Sequence, residues 1–215
     1  MLNIKIKFVD TNIIPDEKLF CSSFLSDSDL LYLSRFKIEE TKKEKACSQI
    51  FKNKYIGEYN VNEFGKPVSE NIYFNISHSK GAVVFVKDNL PIGIDIEKIR
   101  PVEDNLIDYI SSFKEKGYIK NDINFFEVWT SKESLTKAIG TGIKGKIKDI
   151  PALPLTGFKE YENKRFYGKI IQYKDHVISI SRESEEPFNV EIEEERLWIS
   201  YTHYLVVNRD YISLH

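Results

Sequence analysis

In the segment PIGIDIE, residues 91–97, Ile92 to Glu97 are predicted to form one β-strand with two different faces. Because side chains alternate across a strand, its three isoleucines point into a core, while Gly93, Asp95 and Glu97 share the other face. Two carboxylates on one face repel each other unless a positive group lies between them. The pattern leaves two interpretations open. The face is either a solvated acidic surface or a pair of oxygen ligands for a hard cation such as Mg²⁺, with Gly93 leaving room nearby.

Helices and short strands are mixed on both sides of this segment. Alternating apolar residues and turn residues predict strands over residues 2–9, 72–76, 81–87, 157–160, 165–173 and 176–182. Residues 77–80 are expected to be a loop between the second and third of these strands. Capping residues and helical periodicity predict helices from about residue 30, over 39–57, within 103–120 and over 124–139. Helices combined with antiparallel strands predict an α+β fold.

The chain has 215 residues, with 31 Lys+Arg and 33 Asp+Glu, a formal net charge of −2, and 41% hydrophobic residues. This composition excludes general disorder, and the near-neutral charge argues against nucleic-acid binding through bulk positive charge. The sequence changes character near residues 98–103, which predicts two parts, 1–98 and 99–215. The Glu-rich segment 183–196 is expected to be solvated. The aromatic segment 198–211 looks ordered enough to pack but has no assigned role.

The cysteine and hydropathy patterns favour a reduced, cytoplasmic protein. The two cysteines, Cys21 and Cys47, can form neither a disulfide framework nor a four-ligand zinc site. No apolar run approaches the length of about 20 residues needed to span a bilayer. The first residues alternate like a strand and have no signal-peptide character. We therefore expect no membrane contact.

Two further segments carry candidate chemistry. In FFEVWTSKESLTK (125–137), Glu133 and Lys137 lie four residues apart and share a helix face. They form either a surface ion pair worth roughly 0.2–0.5 kcal/mol or a site for a metal-bound phosphate. In FNISHS (74–79), Ser77 and His78 are either a phosphate-binding loop or a polar turn. The sequence has no nucleophile elbow, P-loop or dinucleotide fingerprint.

The order of the motifs is more specific than any one of them. GKP (65–67), FNISHS (74–79), GIDIE (93–97) and WTSKESLTK (129–137) follow one another at characteristic spacing. In this order the chain resembles a 4′-phosphopantetheinyl transferase of the surfactin-synthetase-activating (Sfp) type. The resemblance extends from about Arg35 to Arg182.

The resemblance implies two similar α/β halves related by a pseudo-twofold axis, with coenzyme A in the cleft between them. It implies Mg²⁺-dependent transfer of 4′-phosphopantetheine from coenzyme A to a serine of an apo acyl or peptidyl carrier protein, releasing 3′,5′-ADP. This is a holo-acyl-carrier-protein synthase activity, which serves fatty-acid, polyketide or nonribosomal-peptide synthesis. Since one chain forms the whole cleft, we expect a monomer.

The resemblance also implies roles for individual residues. Asp95, Glu97 and Glu133 match the metal-binding acids, Glu133 is also the candidate base for the serine proton, and Glu115 matches a further acid. Lys137 matches the lysine that contacts the pyrophosphate.

The remaining matches concern the nucleotide end of coenzyme A. Ser77 and His78 match residues that hold its phosphate groups, with Lys66 and His78 nearest the 3′-phosphate. Where the family has an arginine-rich stretch, this chain has EETKKEK (39–45), so Lys43 or Lys45 is expected to replace an arginine.

Two alternatives use the same residues differently. In the first, a Mg²⁺-dependent hydrolase attacks a nucleotide pyrophosphate with water as the nucleophile. In the second, the chain binds coenzyme A or a carrier protein without catalysis.

Overall fold

A computed structural model describes residues 2–63, 65–143 and 147–197. Within these ranges, helices pack on two four-stranded sheets, which confirms the α+β prediction. The strands are β1 (Leu2–Asp10), β2 (Asn60–Val61), β3 (Pro67–Val68), β4 (Tyr73–Ser79), β5 (Ala82–Asp88), β6 (Ile92–Lys98), β7 (Gly157–Tyr161), β8 (Lys164–Tyr173), β9 (His176–Glu183) and β10 (Phe188–Glu194). The helices are α1 (Asp16–Phe20), α2 (Asp27–Leu33), α3 (Glu39–Tyr55), α4 (Asp104–Ile110), α5 (Phe113–Tyr118) and α6 (Asp122–Ile139).

The first sheet has the strand order β10-β1-β5-β4. Strands β1 and β10 run parallel, with Leu2 opposite Phe188 and Ile6 opposite Ile192. The prediction that residues 183–196 form a solvated segment is therefore wrong for residues 188–194. Phe188, Val190 and Ile192 alternate with polar residues and pack into the core, while Asn189 and Glu191 between them are exposed.

The second sheet, in the order β6-β9-β8-β7, is antiparallel throughout. Helix α6 packs on one of its faces, and the buried side chains between them include Phe126, Val128, Leu135 and Val177. The helix begins at a side-chain cap, where Asn121 accepts a hydrogen bond from the Asn124 amide. It ends at Gly140, whose φ of +93° suits glycine because that residue has no Cβ to clash.

The two sheets meet where edge strand β4 lies beside edge strand β6. Side chains of β4 form hydrogen bonds across this boundary: Asn75 accepts one from the Ile94 amide, Ser77 donates to Asp95 and Ser79 donates to Glu97. Because these bonds hold residues 77–79 in the strand, the prediction of a loop over residues 77–80 was wrong. The strand continues to Ser79, and the turn comes at Lys80 and Gly81, which have φ values of +43° and +87°.

Some predictions stay untested. The pseudo-twofold relation and the division into 1–98 and 99–215 remain predictions, although β6 lies in the second sheet and β10 in the first. The segment 198–211 lies outside the described residues. In the part of the chain that the structure describes, no helix has the length and apolar character needed to cross a bilayer.

Candidate active site

Helix α6 approaches strand β6 closely because residue 93 has no side chain. A Cβ atom at Gly93 would lie 2.1 Å from the Ser134 carbonyl oxygen and 2.4 Å from the Ala138 nitrogen. The space at Gly93 is therefore filled by the helix backbone, and the expectation that it leaves room for a cation was wrong. The close approach places Lys137 over the acidic face of β6.

Lys137 connects three elements at the centre of this face. Its Nζ lies 2.6 Å from Asp95 Oδ1 and 3.0 Å from Ser77 Oγ, and Ser77 Oγ donates to the same carboxylate oxygen at 2.8 Å. The Asp95 side chain is almost fully buried, and its second oxygen, Oδ2, has no hydrogen-bond partner among the described residues. Burial raises the pKa of Asp95, and the Lys137 charge opposes that rise.

The contacts of Lys137 test one of the two interpretations of the spacing between residues 133 and 137. In the described part of the chain, Lys137 forms its ion pair with Asp95 rather than with Glu133. The interpretation as a simple surface pair is therefore wrong. Burial raises the pKa of the Glu133 carboxyl, and the negative charges of Asp95 and Glu97 raise it further against the effect of Lys137. Glu133 therefore belongs to the same electrostatic cluster.

Glu97 is held through one of its two oxygens. Ser79 Oγ and a guanidinium nitrogen of Arg100 both donate to Glu97 Oε2, each at 2.9 Å. Arg100 is itself fixed by stacking over the Phe126 ring, 4.7 Å from its centroid. The acidic face of β6 is therefore ordered by neighbours from β4 and α6.

The three predicted metal ligands can be compared with what a hard cation needs. No group of three or more His, Cys, Asp or Glu side chains among the described residues is gathered into a ready-made metal shell. The donor chemistry nevertheless fits Mg²⁺, because Asp95, Glu97 and Glu133 offer carboxylate oxygens and interact electrostatically. The buried Asp95 Oδ2, which has no partner in the described ranges, is an unsatisfied ligand atom of the kind that a cation would satisfy.

A cavity of about 220 Å³ lies on the other face of β4. Lys45 Nζ lies 3.0 Å from His78 Nε2, and His78 Nδ1 lies 3.0 Å from Glu44 Oε2. His78 is thus a strand residue held between two α3 side chains, and the interpretation as a polar turn was wrong. The lining residues of this cavity, which we call the β4 cavity, are Tyr32, Lys45, Ser48, Gln49, Lys52, Pro67, Phe74, Asn75, Ile76 and His78.

Two other predicted lysines lie elsewhere. Lys43 pairs with Asp16 and donates to the Ile14 carbonyl oxygen at 3.2 Å. Lys66 Nζ donates to the Lys137 carbonyl oxygen at 2.6 Å, near the end of α6, and lines a separate cavity that does not include His78. Burial lowers the pKa of Lys66 to about 8. The structure thus pairs Lys45 with His78, while Lys66 contacts the backbone of Lys137.

Glu115 lies in a different buried network. It pairs with Lys132 at 2.8 Å and accepts hydrogen bonds from the Ser112 and Ala152 amides.

Three residues near the site were not predicted from the sequence, namely Tyr32, Ser79 and Arg100. Only Ser79 had a sequence signal, because strand alternation places it on the same face as Ser77.

Comparison with known proteins finds a match to a protein family, mostly in the second part of the chain. Residues 91–185 match the model of the 4′-phosphopantetheinyl transferase superfamily. This range contains both the GIDIE segment and the helix with Glu133 and Lys137, so the match confirms the resemblance predicted from those motifs.

Individual relatives agree with this match. The chain is 43% identical over 94 residues to 4′-phosphopantetheinyl transferase gsp of Aneurinibacillus migulanus, covering 40% of this chain and 39% of the relative. It is 34% identical over 113 residues to 4′-phosphopantetheinyl transferase ffp of Bacillus subtilis, covering 46% and 45%. It is 28% identical over 174 residues to the L-aminoadipate-semialdehyde dehydrogenase-phosphopantetheinyl transferase of Schizosaccharomyces pombe, covering 63% and 67%. The chain thus spans less than half the length of the two bacterial relatives.

Proposed function

We propose, from the premise that residues 91–185 belong to the 4′-phosphopantetheinyl transferase superfamily, that this protein transfers phosphopantetheine from coenzyme A to carrier proteins. The acceptor is a serine hydroxyl of an apo acyl or peptidyl carrier protein. The serine oxygen attacks the β-phosphorus, and the bond to 3′,5′-ADP breaks. The nucleophile belongs to the partner, which agrees with the lack of a nucleophile elbow in this sequence.

The observation that carries the proposal is the cluster of Ser77, Asp95 and Lys137. It brings a lysine ammonium to a buried carboxylate at the boundary of the two sheets, with the β4 cavity on the other face of β4. Negative charge increases on phosphate oxygens during the transfer, and a positioned cation stabilises that charge. In this proposal Lys137 contacts the pyrophosphate.

Mg²⁺ fits the same site as a bound cofactor. Asp95, Glu97 and Glu133 would hold the ion, which supplies charge neutralisation at the pyrophosphate when it is bound. Glu133 also accepts the proton of the carrier serine. A carboxylate whose pKa is raised by burial and by neighbouring acids is a stronger base than an exposed one.

The nucleotide end of coenzyme A occupies the β4 cavity. Lys45, Lys52 and His78 give this cavity the cationic and hydrogen-bonding groups that a 3′-phosphate needs. Tyr32 and Phe74 add aromatic rings to the same lining. The contacts of Lys45 make it the better candidate than Lys43 for the lysine that replaces the family's arginine.

The carrier protein docks on an exposed apolar surface of α4 and α5. Leu106, Tyr109 and Phe113 are exposed there, and Phe113 retains 93% of its accessible surface. Lys114 lies beside Phe113 in the sequence and suits the acidic surface of a carrier domain, whereas Lys116 is paired with Asp108. We propose that the protein acts as a monomer.

An incubation with coenzyme A, Mg²⁺ and an apo carrier protein tests the function. Mass spectrometry is expected to show that the carrier gains one phosphopantetheine group and that 3′,5′-ADP appears in equal amount. Glu133→Gln is the matched variant, because it keeps the size of the side chain but loses its charge and basicity. It is expected to bind coenzyme A and to lose most turnover.

Two results would contradict the transferase. Release of 3′,5′-ADP without any carrier would identify a pyrophosphate hydrolase. Binding of coenzyme A without product in either assay would identify a non-catalytic module.

A further inference from the structure

Two serines of β4 pair with the two acids of β6 in a repeated arrangement. Ser77 Oγ donates to Asp95 Oδ1 at 2.8 Å, and Ser79 Oγ donates to Glu97 Oε2 at 2.9 Å. Both serines are buried, with 6% and 8% of their surface exposed. Because serines and acids are each two residues apart in neighbouring strands, each serine faces one acid.

A second contact fixes the direction of each serine hydroxyl. Lys137 Nζ donates to Ser77 Oγ at 3.0 Å, and the Lys98 amide donates to Ser79 Oγ at 3.3 Å. A hydroxyl has only one proton, so a serine that accepts a hydrogen bond from nitrogen can direct that proton to the carboxylate. The nitrogen donors therefore orient both serines towards the acids.

The donors to each carboxylate gather on a single oxygen. Asp95 Oδ1 accepts hydrogen bonds from Ser77 and Lys137. Glu97 Oε2 accepts hydrogen bonds from Ser79 and Arg100. Within residues 2–63, 65–143 and 147–197, Asp95 Oδ2 has no hydrogen-bond partner, and no described residue donates to Glu97 Oε1. Each acid thus has one anchored oxygen and one that is free to bind a cation.

We propose that Ser79 is a positioning residue for divalent-metal binding, which holds Glu97 by one oxygen so that the other binds the ion. Ser77 does the same for Asp95. The inference rests on the proposed function in taking these acids as metal ligands. Groups that hydrogen-bond a metal-binding carboxylate reduce its freedom, and their removal typically lowers metal affinity 10–100-fold.

Calorimetric titration of Mn²⁺ into the full chain, without coenzyme A or carrier, tests the proposal. Ser79→Ala removes the hydroxyl, while Ser79→Thr keeps it on a β-branched side chain that suits a strand. We expect Ser79→Ala to weaken Mn²⁺ binding by about tenfold and Ser79→Thr to bind within about threefold of wild type.

Ser181→Ala is the matched control. It removes a buried hydroxyl from the neighbouring strand β9, where Ser181 bonds to Ser134 at 2.9 Å. Its Mn²⁺ affinity is expected to equal that of wild type. Equal Mn²⁺ affinity in wild type and Ser79→Ala would overturn the proposal. So would a wild type that binds no Mn²⁺, or an equal loss in Ser79→Ala, Ser79→Thr and Ser181→Ala.

The transfer assay is scored separately, so the two proposals can fail independently. A wild type that binds Mn²⁺ in a Ser79-dependent way but transfers nothing supports the positioning role and contradicts the transferase. A wild type that transfers phosphopantetheine while Ser79→Ala binds Mn²⁺ normally supports the transferase and overturns the positioning role.

Discussion

Lys137 Nζ lies 2.6 Å from Asp95 Oδ1, on a different element, although Glu133 lies one turn earlier on the same helix. The lysine is partly exposed, whereas the carboxylate is almost fully buried. A buried charge without a partner is strongly destabilising. Lys137 therefore stabilises the boundary between β6 and α6 in addition to its proposed contact with the pyrophosphate.

Lys137→Met removes this partner and leaves the Asp95 carboxylate buried alone. We expect the free energy of unfolding, measured with urea at neutral pH, to fall by about 2–4 kcal/mol. The double variant Lys137→Met/Asp95→Asn removes both charges and is expected to recover most of the loss. Equal stability of wild type and both variants would show that the ion pair makes no contribution.

Gly93→Ala tests whether the close packing of β6 and α6 is required. A Cβ atom there would lie 2.1 Å from the Ser134 carbonyl oxygen, so the helix has to move. We expect a loss of stability of at least about 3 kcal/mol. Gly117→Ala is the matched control, because nothing lies within 4 Å of its added Cβ. Thermal melting of the two variants compares them directly, and similar melting temperatures would contradict the close packing.

Lys45→Ala and Lys43→Ala test which lysine binds the nucleotide. Lys45 lines the β4 cavity beside His78, whereas Lys43 pairs with Asp16. Because a charge-assisted contact contributes about 1.5–3 kcal/mol, Lys45→Ala is expected to weaken coenzyme A binding by at least tenfold. Lys43→Ala is expected to change it by less than about threefold.

Dephospho-coenzyme A is the control ligand for these calorimetric titrations, because it lacks only the 3′-phosphate. Its affinity is expected to change little in Lys45→Ala and in His78→Ala. A preference ratio for coenzyme A that stays at the wild-type value in both variants would exclude Lys45 and His78 from the 3′-phosphate site.

Lys159 is buried in β7, where it donates a hydrogen bond to Ser131, and burial lowers its pKa to about 7. Between about pH 7 and its ordinary value of 10.5, the unfolded chain keeps this proton and the folded chain releases it. The contribution of Lys159 to the free energy of unfolding therefore rises with pH in this window. Below this pH window, Lys159 is protonated in the folded chain as well, and the full free-energy cost of burying its charge remains.

Lys159→Met removes this cost while keeping an unbranched side chain. We expect it to raise the free energy of unfolding by about 1–4 kcal/mol near pH 6, with a smaller gain near pH 10. Lys164→Met, at a side chain that is 48% exposed, is the control and is expected to change stability by less than about 0.5 kcal/mol. A gain that does not depend on pH would contradict the role of the buried charge.

Phe113→Ala tests the proposed carrier surface. Phe113 is 93% exposed, so its removal is not expected to affect the fold. Aromatic anchors commonly contribute 2 kcal/mol or more to an interface, so KM for the carrier is expected to rise by at least about tenfold. KM for coenzyme A is expected to stay the same. Leu31→Ala, at an exposed apolar residue of α2, is the control, and an equal effect of both variants would exclude a specific docking site.

Local signals explain which elements were predictable from the sequence. The helices over 39–55 and 122–139 followed from apolar periodicity, and the second ended at the predicted Gly140. The helix predicted from about residue 30 begins at Asp27 in the structure, after a capping box formed by Ser26 and Asp29. The strand over 92–98 followed from strict alternation. These elements were predicted because their causes lie within a few residues of one another in the chain.

The errors arose where the cause lies far away in the sequence. Residues 77–79 looked like a turn because they are polar, but their serines pair with acids 18 residues later. Likewise, the contact between Lys137 and Asp95 joins residues 42 positions apart. Alternation of Phe188, Val190 and Ile192 was visible among the glutamates, but its partner strand is at the other end of the chain.

The pairing of β1 with β10 has a consequence for how the chain folds during translation. Contacts such as that between Lys7 and Glu193 join residues 186 positions apart. During synthesis, β1 therefore has an unpaired edge until residues 188–194 are synthesised, and an unpaired edge is a site for aggregation. A nascent chain stalled before residue 188 would present that edge to chaperones or to other nascent chains.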